Sequence, residues 1–112
     1  MMNNDPALDR MFQALSDGHR RAIIDRLAAG PLSVSDLAAP LDISLPAVMQ
    51  HLAVLETAGL LHSEKRGRVR TCTLSSSAMT KAEAWISDRR QMVERQLARL
   101  DRYLDQQQKD KT

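Results

Sequence analysis

Several features are scarce in this sequence, and each scarcity excludes a class of protein. No apolar run approaches the roughly eighteen residues that cross a bilayer, and no signal-peptide core is present, so neither a membrane span nor export is expected. A single cysteine, Cys72, excludes an internal disulfide framework and fits a reducing, cytoplasmic setting. The four glycines form no phosphate-cradling loop, and no nucleophile, base and orienting group stand at recognisable spacing. No enzyme and no cofactor are therefore expected. Neither sign of charge dominates: 16 Lys and Arg against 14 Asp and Glu leave +2, with a pI near 9.0. Such a balance permits a nucleic-acid partner without demanding one, so the distribution of charge has to decide.

What is present suits one small globular domain over residues 1–112, with 43% hydrophobic residues. Residues 6–15 place Leu8, Met11, Phe12 and Leu15 on one face of a short amphipathic helix. Ser16 or Asp17 can cap the next helix, which turns Ile23, Ile24 and Leu27 inward and stops at Gly30-Pro31. Ser33-Val34-Ser35-Asp36 reads as a capping box opening a brief helix that ends before Pro40.

The stretch SLPAVMQHLAVLETAGL, residues 44–60, carries the strongest helix signals. Ser44 is an N-cap, and Pro46 sits in the first turn, where no intrahelical donor is lost. Val48, Leu52 and Leu55 form the core stripe, while Gly59 and Leu60 supply a Schellman ending. The opposite face holds Leu45, Pro46, Met49, Gln50 and Ala53, without one acid or base. An exposed face so poor in charge is a docking face, and a partner protein or the major groove of DNA would fit it. His51 flanks the core stripe; packing and a phosphate contact are both open to it. A short helix, a tight turn and a second helix with a bare outer face make a helix-turn-helix over residues 33–58.

A hairpin follows over residues 60–74, its strands at 60–64 and 69–74 joined by Lys65-Arg66-Gly67-Arg68. In isolation such a cationic tip is a solvated sheet edge. Beside a helix-turn-helix, Lys65, Arg66 and Arg68 can lie along a phosphate backbone. From residue 77 one long helix is expected, with Met79, Ile86, Val93 and Leu100 repeating every seven residues and Leu97 and Leu104 beside them. Its other positions are mostly polar, so the seam asks for a second copy of the same helix. The polar tail DQQQKDKT is expected to fray. The fold class expected is thus mainly α with a small β-hairpin: a winged helix-turn-helix flanked by dimerisation helices at 5–15 and 77–106.

The ordered set ALSD-x-x-RR, L-x-V-x-DLA, S-x-PAV-x-x-HL-x-VL-x-x-AGL and a basic G-R-x-R wing resembles the ArsR/SmtB family of bacterial transcriptional repressors over nearly the whole chain. The resemblance implies a homodimer binding an inverted-repeat operator in double-stranded DNA, one recognition helix per half-site. On that pattern Ser44, Leu45, Pro46, Met49, Gln50, His51 and Ala53, with Lys65, Arg66 and Arg68, face DNA. Leu8, Met11, Phe12, Leu15, Trp85, Ile86, Val93, Leu97 and Leu100 form the dimer interface. The rival reading is a winged helix used as a protein-interaction or dimerisation module; it accounts for Leu45 and Met49 but not for a basic wing beside them.

The departures from the family pattern concern its signal. Metal-sensing members carry two cysteines in ELCVCDL, whereas residues 31–37 here read PLSVSDL, with Ser33 and Ser35 at the ligand positions. A neutral hydroxyl is a poor substitute for a thiolate on a soft or borderline metal. A second family site uses Asp and His on the C-terminal helix, and residues 77–112 contain no His. His19, His51 and His62 fall in three different elements without ligand spacing, so no metal is expected and any small-molecule or protein effector stays unassigned. Cys72 alternates with Leu74 toward the core, and Trp85 reads as a packing anchor near the seam, with Arg89 and Arg90 beside it.

Overall fold

The computed structural model describes residues 5–110 and divides by its contacts into two compact units, Met1–Thr80 and Lys81–Thr112. Local hydrogen bonds set the helix boundaries in the first unit. α1 (Pro6–Ala14) opens at Asp5, whose carboxylate accepts from the Ala7 and Leu8 amides at 3.0 and 3.3 Å. α2 (Gly18–Leu27) is capped by Asp17, which accepts from the Arg20 amide at 3.1 Å. The Ser33 hydroxyl, accepting from the Asp36 amide, opens α3 (Val34–Ala38). Ser44 does the same for Ala47 at the head of α4 (Leu45–Thr57).

α4 ends as its sequence predicts. Gly59 takes a φ of +78°, its amide donates to the Glu56 carbonyl, and the Leu60 amide donates to the Leu55 carbonyl, both at 2.9 Å. These two bonds satisfy carbonyls that a helix end would otherwise leave open, and they turn Leu60 back beneath Leu55, where both are fully buried.

A three-stranded antiparallel sheet, ordered β1-β3-β2, closes the unit: β1 (Leu32–Ser33), β2 (Leu61–Arg66) and β3 (Val69–Leu74). Leu32 pairs with Cys72 and Ser33 with Thr71, so β3 runs between the two-residue β1 and the long β2. The core gathers Ile23, Leu37, Val48, Leu55, Leu60 and Cys72 from α2, α3, α4 and the sheet, all fully buried. At about 1.5–3 kcal/mol for each fully buried aliphatic side chain, this cluster is what holds the two helices of the helix-turn-helix at a fixed angle.

Three expectations need correction. The wing strands run further than the charge pattern suggested: Arg66 pairs with Val69, leaving Gly67 and Arg68 as a two-residue turn. Gly67 has a φ of +63° and Arg68 is not in the left-handed region, the arrangement of the hairpin turn that twists with its strands. On α1, Leu8 and Met11 are already buried in a single chain, together with Ala14; only Phe12 and Leu15 keep exposed or half-exposed surface. α1 lies against α4, which covers Leu8 and Met11 and leaves Phe12 open. The tail does not fray where expected, because the last helix, α5 (Ser76–Asp110), stays helical through Gln106, Gln107 and Gln108. Lys111 and Thr112, the rest of that polar tail, lie outside the described residues.

In the second unit α5 is mostly polar, with Met92 and Tyr103 exposed beside one apolar stripe. Ile86, Val93, Leu97, Leu100 and Leu104 are each about half exposed, and among the described residues none after Ala82 is buried. Among the described residues no helix is long and apolar enough to cross a membrane.

Candidate nucleic-acid interface

α4 presents its outer face as the spacing predicts. Leu45 and Met49 are 56% and 42% exposed, and Ser44, Pro46, Gln50 and Ala53 are exposed beside them. The face owes its position to its opposite side: Val48, Leu52 and Leu55 are locked in the core, which leaves the residues between them no choice of direction. A side-chain amide flanked by apolar groups can read base edges, with Gln50 pairing to adenine and Leu45 or Met49 against thymine methyls.

The wing supplies the charge. Because paired residues share a face of a hairpin, Lys65 and its partner Arg70 stand on the side that holds Leu61 and Cys72, while Arg66 stands on the other with Glu64. Lys65, Arg68 and Arg70 line one hollow of about 340 Å³ together with Met49 of α4 and with Ser33 and Ser35. The structure thus brings α4, the wing cations and Ser33 and Ser35 around one cationic recess. Arg66 reaches Glu64 at 3.5 Å across solvent, with both side chains mostly exposed. Such a pair contributes at most about 1 kcal/mol and does not withhold the guanidinium from a phosphate.

A hydrogen-bonded chain anchors the wing to the reading helix. The Ser63 amide and hydroxyl donate to the Glu56 carboxylate at 3.4 and 3.0 Å, and Arg70 donates to the Ser63 hydroxyl at 3.0 Å. Neither Glu56 nor Arg70 was singled out for this role by the sequence, since the contact joins residues seven apart across a helix end and a turn.

His51 is held partly inward beside the outer face of α4. Its side chain is 19% exposed, and its Nδ1 lies 3.2 Å from an Arg20 guanidinium nitrogen. Arginine can only donate, so the imidazole accepts there and its other nitrogen carries the proton. Arg20 also donates through Nε to the Ala14 carbonyl at 2.7 Å and more weakly to the Gln13 carbonyl at 3.4 Å. One side chain of α2 therefore caps the Ala14 carbonyl at the end of α1 and holds α4. The signal for it was the second-to-last position of ALSDGHRR, an arginine at the third residue of α2.

The histidines also require a correction. His19 and His51, far apart in sequence, stack with ring centroids 5.6 Å apart, and Asp17 lies 3.9 and 4.0 Å from their Nδ1 atoms. Two imidazoles and a carboxylate within 4.8 Å of one another have the composition of a borderline-metal site. The Arg20 guanidinium, however, already places a fixed positive charge against His51, and the Asp17 carboxylate oxygen nearest both rings already caps α2. The Arg20 backbone amide, above all, holds the Asp17 carboxyl below the usual carboxylate range, with the His51 ring and Arg20 charge assisting against partial burial. His62 is exposed on β2, away from this cluster.

Cys72 is fully buried, and its thiol is pushed up, first by burial and then by the Glu56 carboxylate, with Arg70 opposing. It is a protonated packing group on the central strand. Trp85 is half-buried on α5 under the Arg89 guanidinium, 4.8 Å from its ring. Phe12, Ile86, Val93, Leu97 and Leu100 are the members of the expected interface that carry open apolar surface.

The chain is similar to known DNA-binding regulators over the elements just described. A sequence-family model for a helix-turn-helix domain matches residues 15–64. The HTH-type transcriptional regulator Rv2034 of Mycobacterium tuberculosis is 51% identical over 71 residues, covering 63% of this chain and 66% of that one, just under two thirds of its length. The transcriptional repressor SdpR of Bacillus subtilis is 28% identical over 79 residues, covering 70% and 88% of the two chains. A crystal structure of the ArsR family transcriptional regulator RHA00566 superposes with a TM-score of 0.75 at 43% identity, covering 79% of this chain and 97% of that one. With a mainly helical fold, a small antiparallel wing and these relatives, the chain belongs to the ArsR family of winged helix-turn-helix transcriptional regulators, DNA-binding proteins that are not enzymes.

Proposed function

We propose that the protein is a cytoplasmic, homodimeric repressor that binds an inverted-repeat operator, one α4 per half-site, without a metal signal. The observation that carries this reading is the shared recess of Met49 with Lys65, Arg68 and Arg70, which sets an uncharged reading face against a cationic backbone grip. In this reading Leu45, Pro46, Met49, Gln50 and Ala53 meet the major groove, Ser44 lies at the helix start, and Lys65, Arg66 and Arg68 meet phosphates. The half-exposed stripe of Ile86, Val93, Leu97 and Leu100 joins two copies about a two-fold axis, so the chain acts as one winged domain with a dimerisation helix. Repression is supported by the similarity to SdpR, a transcriptional repressor. The absence of a metal signal is supported by Ser33, whose hydroxyl already caps α3 where metal-sensing members hold a thiolate.

Selection of bound sequences from random duplexes, followed by anisotropy titrations across a salt series, tests this directly. Gln50→Ala should cost about 1–3 kcal/mol on the selected operator and relax one base pair per half-site. Arg68→Ala should weaken all duplexes alike and flatten the slope of log affinity against log salt by about 1–2 units per dimer. Failure of the unaltered protein to bind any duplex would leave the exposed Leu45 and Met49 as a protein-docking face instead.

A further inference from the structure

A second opening lies on the other flank of the reading helix, away from the wing. Between α1 and α4 runs a groove of about 530 Å³, within the size range of small-molecule sites. It exists because the facing positions are small: the side chains of Ala14, Ala53 and Ala58 stop at Cβ, and Val54, 40% exposed, fills only part of the gap. Among the described residues, the charged groups lining it are Arg10 and Arg20, with no carboxylate. Arg20 is committed to the Ala14 carbonyl and His51. Arg10 is exposed and has no hydrogen bond or ion pair among the described residues, so its fork of donors stands free at the rim of an apolar floor.

We propose that this groove binds a small amphipathic carboxylate, its apolar body on the alanine and valine floor and its carboxylate on the Arg10 guanidinium. Charge complementarity selects the anion, since a guanidinium fork matches a carboxylate with two parallel hydrogen bonds. The apolar lining selects against inorganic phosphate, which would lose hydration on that floor with nothing in exchange. Binding there has a route to the DNA face. One wall is α4 itself, and Ala53 belongs both to the groove and to the outer face of that helix. A body wedged between α1 and α4 strains the Arg20 tie that joins Ala14 to His51, so the ligand favours the position of α4 that the groove accommodates best. The binding step stands independently of the repressor reading; its effect on DNA rests on it.

Isothermal titration of the intact protein with octanoate below its micellisation threshold, and with 2-naphthoate, tests the site. At least one should bind saturably with one site per subunit, and octanamide, which keeps the body but loses the charge, should bind about tenfold more weakly than octanoate. Arg10→Gln should cause a similar loss with unchanged circular dichroism and unchanged operator affinity. Val54→Trp, which fills the groove from an exposed position, should abolish binding and any effect of the carboxylate on operator affinity. No saturable binding by either carboxylate, many weak sites, equal binding of octanoate and octanamide, or full retention in Val54→Trp would overturn the proposal. Saturable binding by a protein that recognises no duplex would leave the site standing and remove the repressor reading.

Discussion

Replacing Arg20 by alanine probes the tie on which the position of α4 depends. The substitution deletes two hydrogen bonds from a charged donor, at 2.7 Å to the Ala14 carbonyl and 3.2 Å to His51 Nδ1, and a third that at 3.4 Å is too long to count for much. Bonds to charged groups contribute about 1.5–3 kcal/mol each, and the partial exposure of Arg20 places both near the lower end. The freed Ala14 carbonyl, at a helix end, regains water. A loss of about 2–4 kcal/mol is therefore expected, a large part of the roughly 5–15 kcal/mol that holds a small domain together. Arg20→Lys keeps the charge, but one ammonium cannot reach both acceptors, so about half of the loss should remain. Urea unfolding followed by circular dichroism measures it, at fixed protein concentration because association of two copies shifts the midpoint. In a cycle with His51→Ala the pair should show a coupling of about 0.5–1.5 kcal/mol. Arg20→Ala within about 0.5 kcal/mol of the unaltered protein, or strict additivity with His51→Ala, would refute the tie.

Four other outcomes follow from the geometry. A Cβ at Gly59 would touch nothing within 4 Å, so Gly59→Ala should lose only the left-handed backbone penalty, about 1–2 kcal/mol, and Gly59→Asn distinctly less; equal losses in urea unfolding would point to another cause. The Asp17 carboxyl is held low in the folded state, so its stabilising effect is complete above the usual carboxylate range and disappears as pH falls through its folded value; Asp17→Asn, which can still cap α2, should flatten the acid-unfolding profile there and leave neutral pH nearly unchanged. Isothermal titration with zinc should detect no submicromolar stoichiometric site, and a tight site lost in His19→Gln would show that zinc displaces Arg20 from His51. Replacing Leu97 and Leu100 together by glutamate should turn a dimer into a monomer in sedimentation, and an unchanged mass would place the interface elsewhere.

Much of this architecture could be read from residue order because its determinants are local. Ser33, Ser44 and Gly59 each act on partners within five residues, so their hydrogen bonds follow directly from chain spacing. The uncharged face of α4 follows from the period of Val48, Leu52 and Leu55. What could not be read depends on distance along the chain. β1 has two residues, too few for an alternating pattern, and exists only because β3 offers Thr71 and Cys72 as partners. Asp17, His19, Arg20 and His51 converge through the packing of α2 on α4, which no spacing within one element encodes. Leu8 and Met11 look like half of a subunit contact until α4 is seen to lie against α1. The charges Lys65 and Arg66 resemble a loop because they are polar, yet the ladder continues through both.

The bonds from Glu56 through Ser63 to Arg70 determine how this regulator could acquire a new target sequence. They fasten the foot of the hairpin to the last turn of α4, at the end opposite Leu45 and Pro46. The wing and the outer face of α4 consequently share one frame, while Leu45, Met49 and Gln50 take no part in the bonds that hold it. On the proposed function, substitutions at positions 45, 49 and 50 would alter the preferred sequence without loosening the grip, because the bonds that set the distance between α4 and wing involve none of them. Specificity in such a frame is free to drift while affinity for the duplex is kept.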